Sequence, residues 1–111
     1  MDFIRVYSGE DGESHFEDID PTKWAEWGGA AVTGFSIRQL RSEPMDWHPA
    51  PRRQLIIHLS GQVEIGLRDG TAHVFGPGSA RLMDDLTGTS GHTTRVLGDE
   101  PAMQAVVLFG E

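Results

Sequence analysis

The chain has 111 residues, no cysteine and a formal net charge of −8. That length supports one modest core and excludes two domains. The missing thiols exclude disulfides, thiolate zinc sites and a cysteine nucleophile and fit a reducing cytoplasm, while the negative field disfavours nucleic acid, whose binding rests on Lys and Arg against phosphate.

In chain order, Met1 to Tyr7 lacks the pattern of a secretory signal, and Phe3 to Tyr7 alternates as a first strand. Ser8-Gly9-Glu10-Asp11-Gly12 turns the chain into a second strand, Ser14 to Ile19. The acids Glu10, Asp11, Glu13, Glu17, Asp18 and Asp20 gather here and read as a solvated face. Asp20-Pro21 has the form of a helix start, Asp20 as N-cap and Pro21 in the first turn, giving about two turns before Gly28-Gly29. Trp24 and Trp27 would share one face of that helix as a lid on the core. Ala30 to Arg41 reads as strand and Glu43-Pro44 as a break. Strands follow over Gln54 to Leu59, Val63 to Arg68, Thr71 to Phe75, Ser79 to Asp84, His92 to Leu97 and Ala102 to Phe109, separated by turns rich in Gly and Pro. No apolar run approaches the ~20 residues of a membrane helix. Fourteen glycines and six prolines between short strands point to an all-β sandwich or barrel.

Treating Asp69-Gly70 as a two-residue turn pairs Leu67 with Ala72, Ile65 with Val74 and Gly66 with His73. Treating Ser60-Gly61 likewise pairs His58 with Val63, Ile56 with Ile65 and Gln54 with Leu67. Both turns then place Gln54, Ile56, His58, Val63, Ile65, Leu67, Ala72 and Val74 on one inner face, with Arg52 of the same parity at the barrel mouth. Leu55, Ile57 and Leu59 point outward and are also apolar, so this strand needs cover on both sides. The expected cover is a second copy, making the chain a homodimer.

The run Trp47 to Gly61 resembles the first motif of the cupin family. His48 fits its first His, Ala50 stands where it has a second, Gln54 stands at its Glu, and Gly61 follows seven residues later. Phe75-Gly76-Pro77-Gly78-Ser79-Ala80-Arg81-Leu82-Met83 resembles the turn and strand of the second motif, with His92 at that motif's His after a longer loop. The likeness covers about residues 33 to 109. It implies an antiparallel jelly-roll barrel, often dimeric, preceded here by a short N-terminal helical turn. Residues 1–32 would supply the N-terminal strands and helix, and 33–111 the barrel core, within one domain. Typical members hold a divalent metal on three His and one Glu, and their functions range from oxygenases, isomerases and lyases to binding proteins.

The residues themselves leave three functions open. A pocket of His48, Arg52, Gln54, Ile56, His58, His92 and Thr94 would bind a small molecule, with Arg52 holding an anionic group. A weak site of His48, His92 and Gln54 would hold Fe, Mn, Zn or Ni for a lyase, isomerase or oxygenase, although an amide brings no charge to offset a cation's desolvation. His58 lies four residues beyond Gln54, some 13 Å along the strand, too deep to share that metal; a core histidine is its simpler role. The third reading is a structural dimer with a vestigial pocket. His15 and His73 read as surface residues, Arg95 as outward-facing, and Asp84 and Asp85 as solvated loop carboxylates.

Overall fold

Alternating burial along short strands dominates the structure, a computed structural model that describes residues 2–20, 22, 31–41, 45–86 and 91–109. Among the described residues ten strands follow in order: β1 (Phe3–Ser8), β2 (Ser14–Asp18), β3 (Val32–Leu40), β4 (Met45–His48), β5 (Gln54–Ser60), β6 (Gln62–Gly66), β7 (Ala72–Phe75), β8 (Ala80–Asp84), β9 (His92–Leu97) and β10 (Ala102–Phe109). The all-β expectation holds. The expected helix and the Trp24–Trp27 lid lie outside the described residues except for Thr22, whose N–H and hydroxyl both donate to Asp20 Oδ1, at 3.0 and 2.7 Å. No helix among the described residues is long and apolar enough to cross a membrane.

The strands form a six-stranded sheet, ordered β2-β1-β8-β5-β10-β3, and a four-stranded sheet, ordered β4-β9-β6-β7. All pairings are antiparallel except β1 with β8, which run parallel from Phe3–Ala80 to Tyr7–Asp84, so the large sheet is mixed rather than purely antiparallel. The N-terminal strands are part of this sheet, and Ile4 and Val6 sit in the core.

Two expected registers are corrected. In the β6–β7 hairpin Leu67 N–H donates to the Thr71 carbonyl and Gly70 N–H to the Leu67 carbonyl, enclosing the three-residue loop Arg68-Asp69-Gly70. Gly70 takes the left-handed conformation, φ 91°, and Asp69 Oδ1 accepts from both the N–H and hydroxyl of Thr71. The extra loop residue shifts the register by one: Ile65 pairs with His73, Glu64 with Val74 and Gly66 with Ala72. A slip of one residue reverses which face a side chain takes, so Ala72 and Val74 are exposed and Phe75 is buried instead.

Ser60-Gly61 is not a hairpin turn. It carries the chain from one sheet to the other: β5 pairs with β10 and β8, and β6 with β7 and β9. Gly61 has φ 76°, and a Cβ there would sit 3.0 Å from the Ala102 backbone. The expected pairs His58–Val63, Ile56–Ile65 and Gln54–Leu67 therefore do not form. All six side chains are nevertheless buried, because the inner faces of the two sheets meet. One core cluster joins Ile4 and Ala102 to Val63, Ile65, Phe75 and Val96; a second joins Val6, Ile56, Met83 and Val106 to Ala50.

The outer face of the large sheet has its own apolar rows. Cross-strand neighbours Phe35, Val107, Leu55 and Leu82 form one row, and Ile37, Ala105, Ile57 and Ala80 the next. Ile19, Phe3 and Phe109 pack with Leu55, Leu82 and Val107. Toward the β3 edge the cover ends, with Phe35 65 % exposed and Ile37 51 %; Leu59, near the end of β5, is 47 % exposed. The middle of strand β3 is thus inverted, with Phe35 and Ile37 outward and Arg38 turned toward the interior, while Leu40 packs on the core.

Candidate functional site

Between the two sheets lies a cavity of about 320 Å³. The large sheet contributes Arg38 from β3, Gln54 and Ile56 from β5, and Arg81 and Met83 from β8; the small sheet contributes His48 from β4 and His92 and Thr94 from β9. Pro49, Ala50 and Pro51, linking β4 to β5, close one wall. Alternation explains the placement: Gln54 and Ile56 share parity on β5, Arg81 and Met83 on β8, and His92 and Thr94 on β9.

Strand β4 was not expected. It puts His48 in register with His92, and their rings lie 4.6 Å apart, centroid to centroid. Gly91 makes the approach possible, since a Cβ there would overlap the His48 carbonyl and Pro49 nitrogen, and its φ of 85° suits glycine.

Each ring is held through Nδ1. His48 Nδ1 lies 2.6 Å from the Asp46 carbonyl oxygen, which only accepts, so Nδ1 carries the hydrogen. His92 Nδ1 lies 2.6 Å from Oδ2 of Asp85, and the same oxygen accepts from Ser14 Oγ at 2.8 Å. Both rings thereby leave Nε2 uncommitted among the described residues. Asp85 is fully buried (0 % exposed) rather than the solvated loop carboxylate expected; Ser14 and His92 satisfy its Oδ2, while Oδ1 has no hydrogen-bond partner among the described residues.

Arg81 is 2 % exposed. Its Nε donates to His58 Nε2 at 3.2 Å, and a second nitrogen approaches the Met83 sulfur at 3.4 Å. Burial first, and the charge of Arg38 second, push its pKa down to about 9, with Asp85 partly opposing; it stays cationic at neutral pH. Arg38 donates from Nε to Gln104 Oε1 at 2.8 Å, and burial lowers its pKa too.

His48, Gln54, Ile56, His92 and Thr94 thus come together at the cavity. His58 does not line it. It sits beneath, stacked on Phe75 at 5.2 Å and bonded to Arg81. Burial, then the charges of Arg81 and Arg38, drive its pKa down to about 3, so it is neutral. Arg52 is not brought to the cavity: β5 begins at Gln54, so Arg52 lies in the preceding bend, exposed and outside the lining. Sequence reasoning missed Arg38, Arg81 and Asp85. The parity Arg81 shares with Met83 was a usable signal; the outward Phe35 and Ile37 concealed Arg38.

The cupin likeness implies a divalent metal, and the residues do not fit one. Among the described residues no group of three or more His, Asp, Glu or Cys side chains is placed to hold a metal ion. Oδ2 of Asp85 is held by His92 and Ser14, Gln54 offers an uncharged amide, and two guanidiniums line the same cavity.

No family model matches the chain, and no curated protein matches it. Among solved structures, a DUF861-family protein from Thermotoga maritima is 19 % identical, with 96 % of this chain and 99 % of that one covered and a TM-score of 0.54. Protein NMB1881 from Neisseria meningitidis is 12 % identical over 85 % of this chain and all of that one, TM-score 0.53. A cupin 2 conserved barrel domain protein from Leptotrichia buccalis is 15 % identical over 86 % of this chain and 48 % of that one, TM-score 0.46. Identities this low speak to architecture, and the architecture shared with the cupin-like DUF861 protein gives this chain a cupin-type fold.

Proposed function

We propose that the protein binds a small organic molecule in the cavity between its sheets. The observation that carries this reading is the meeting of His48 and His92, each anchored through Nδ1 and each with Nε2 uncommitted among the described residues, at a cavity whose other walls are largely apolar. Small-molecule sites combine such walls with a few fixed polar groups, and polar groups facing an apolar core cost free energy that a ligand would offset. Gln54 and Thr94 add hydrogen-bonding partners for orientation. Two copies would pair through the outer face around Leu55, Ile57 and Leu59, continued by Phe35 and Ile37, in a reducing cytoplasm.

A thermal-shift panel of organic acids, sugars and nucleobases tests the reading, because a ligand at 100 times its Kd stabilises the native state by about 2.7 kcal/mol. At least one compound is expected to raise Tm in the wild type and not in Ile56→Trp, which fills the cavity. A panel with no shift in the wild type would support the vestigial-pocket alternative.

A further inference from the structure

Three arginines nearer the surface have carboxylates: Arg5 meets Asp84 at 2.7 Å, Arg95 meets Glu64 at 3.0 Å and Arg53 approaches Asp84 at 3.7 Å. Arg38 and Arg81, which line the cavity, form no ion pair with any described residue, in a chain with 17 acidic residues. The acceptors they do have are neutral: a histidine nitrogen and a thioether sulfur for Arg81, an amide oxygen for Arg38. The carboxylate whose field reaches Arg81 is Asp85, and Ser14 and His92 hold it in place.

A buried cation without a counter-charge is costly, and a second cation near it raises the cost. The topology makes this a shared arrangement. Arg38, Gln104 and His58 occupy one cross-strand row on β3, β10 and β5, and Arg81, one row away opposite Ile56, reaches back to His58. Gln104 and His58 each accept one Nε–H, and both arginines line the cavity. Guanidinium groups match the planar, two-oxygen geometry of a carboxylate.

We propose that Arg38 and Arg81 form the anion-binding end of the cavity, so that its ligand is a small organic acid held by its carboxylate between the two guanidiniums. This rests on the cavity being a small-molecule site, and it names the ligand class. The body of the acid lies against Ile56, Met83 and Ala50, and a polar substituent at its far end reaches His48 and His92. The ligand's charge neutralises the repulsion between the two arginines, so recognition depends on charge more than on shape.

The test titrates the whole protein with benzoate, with benzamide of nearly the same shape and no charge, and with inorganic phosphate, following the arginine Nε–H and histidine resonances by NMR. Benzoate is expected to bind about tenfold or more tightly than benzamide and to move the Arg38 and Arg81 Nε–H signals. Arg38→Met, at a half-buried position, is expected to fold and to lose that preference; Arg81→Met is a second variant if it folds. Equal binding of benzoate and benzamide would overturn the anion-binding end while leaving the small-molecule reading intact. Phosphate binding about tenfold more tightly than benzoate would overturn the carboxylate assignment. No saturable shift of the cavity signals with any probe would also overturn the proposal, and the thermal-shift panel then decides the broader reading separately.

Discussion

His58 makes the stability of this protein depend on pH in a direction that can be worked out. Its ring is 1 % exposed, and burial beside two guanidiniums drives its pKa from 6.5 to about 3. Between those values the unfolded chain takes up a proton that the native ring refuses. Stability therefore falls as pH drops through that window and is unaffected by this group above it. At about 1.36 kcal/mol per unit the whole offset is roughly 4–5 kcal/mol, and a descent from neutrality to pH ~4.5 removes roughly 2–3 kcal/mol. For a chain of this size that is about 10 °C in Tm. Wild type and His58→Gln should be melted from pH 7.5 to pH 4.5; glutamine retains an acceptor for Arg81 but does not titrate. Every other titratable group is common to both proteins, so the difference between the two curves isolates residue 58. The gap is expected to shift in favour of the variant as the solution is acidified. Parallel curves would refute the reasoning and mean that His58 protonates inside the folded protein at little cost.

Asp85→Ala strands the hydroxyl of Ser14 and Nδ1 of His92, and is expected to cost about 3 kcal/mol in urea denaturation; a loss below about 1 kcal/mol would argue against the buried pair. Gly91→Ala combines a left-handed backbone with overlap on the His48 carbonyl, so calorimetry should show a loss of more than about 2 kcal/mol and NMR should show both histidine signals displaced. Ile56→Ala opens space beside the cavity, with an expected loss of about 2–4 kcal/mol in chemical denaturation. Phe35→Glu places a charge on the exposed apolar edge of the large sheet, and sedimentation equilibrium should find a dimer for the wild type and a monomer for the variant. A monomeric wild type would rule out pairing through this face.

Much of the strand pattern was legible because it depends on local alternation and punctuation. Val32–Leu40, His92–Leu97 and Ala102–Phe109 lie within or match the segments expected, and Gly61 and Gly70 mark changes of direction. Sheet membership was less legible. A turn residue such as Gly61 states that the chain reverses, not whether it returns to the same sheet, and one added residue at Arg68-Asp69-Gly70 moved Ala72 and Val74 to the outside. The histidines of the site could be found from spacing, but its charges could not. Arg38 and Arg81 break the rule that arginine faces solvent, and Asp85 looks like a loop acid until Ser14, 71 residues away, closes on it. Such contacts depend on three-dimensional neighbours that no local window contains.

The parallel pairing of β1 with β8 also has a temporal consequence. Strand β1 lies inside the sheet, between β2 and β8, yet its contact with β8 spans gaps such as the 77 residues between Asp2 and Ser79. Strand β1, synthesised well before β8, must therefore wait for the intervening chain before it can take its place. Long-range closures of this kind slow folding and leave strand edges open in the interim. The β2–β1 hairpin is expected to form early and dock late, and the refolding rate should be sensitive to changes at Ile4 and Val6.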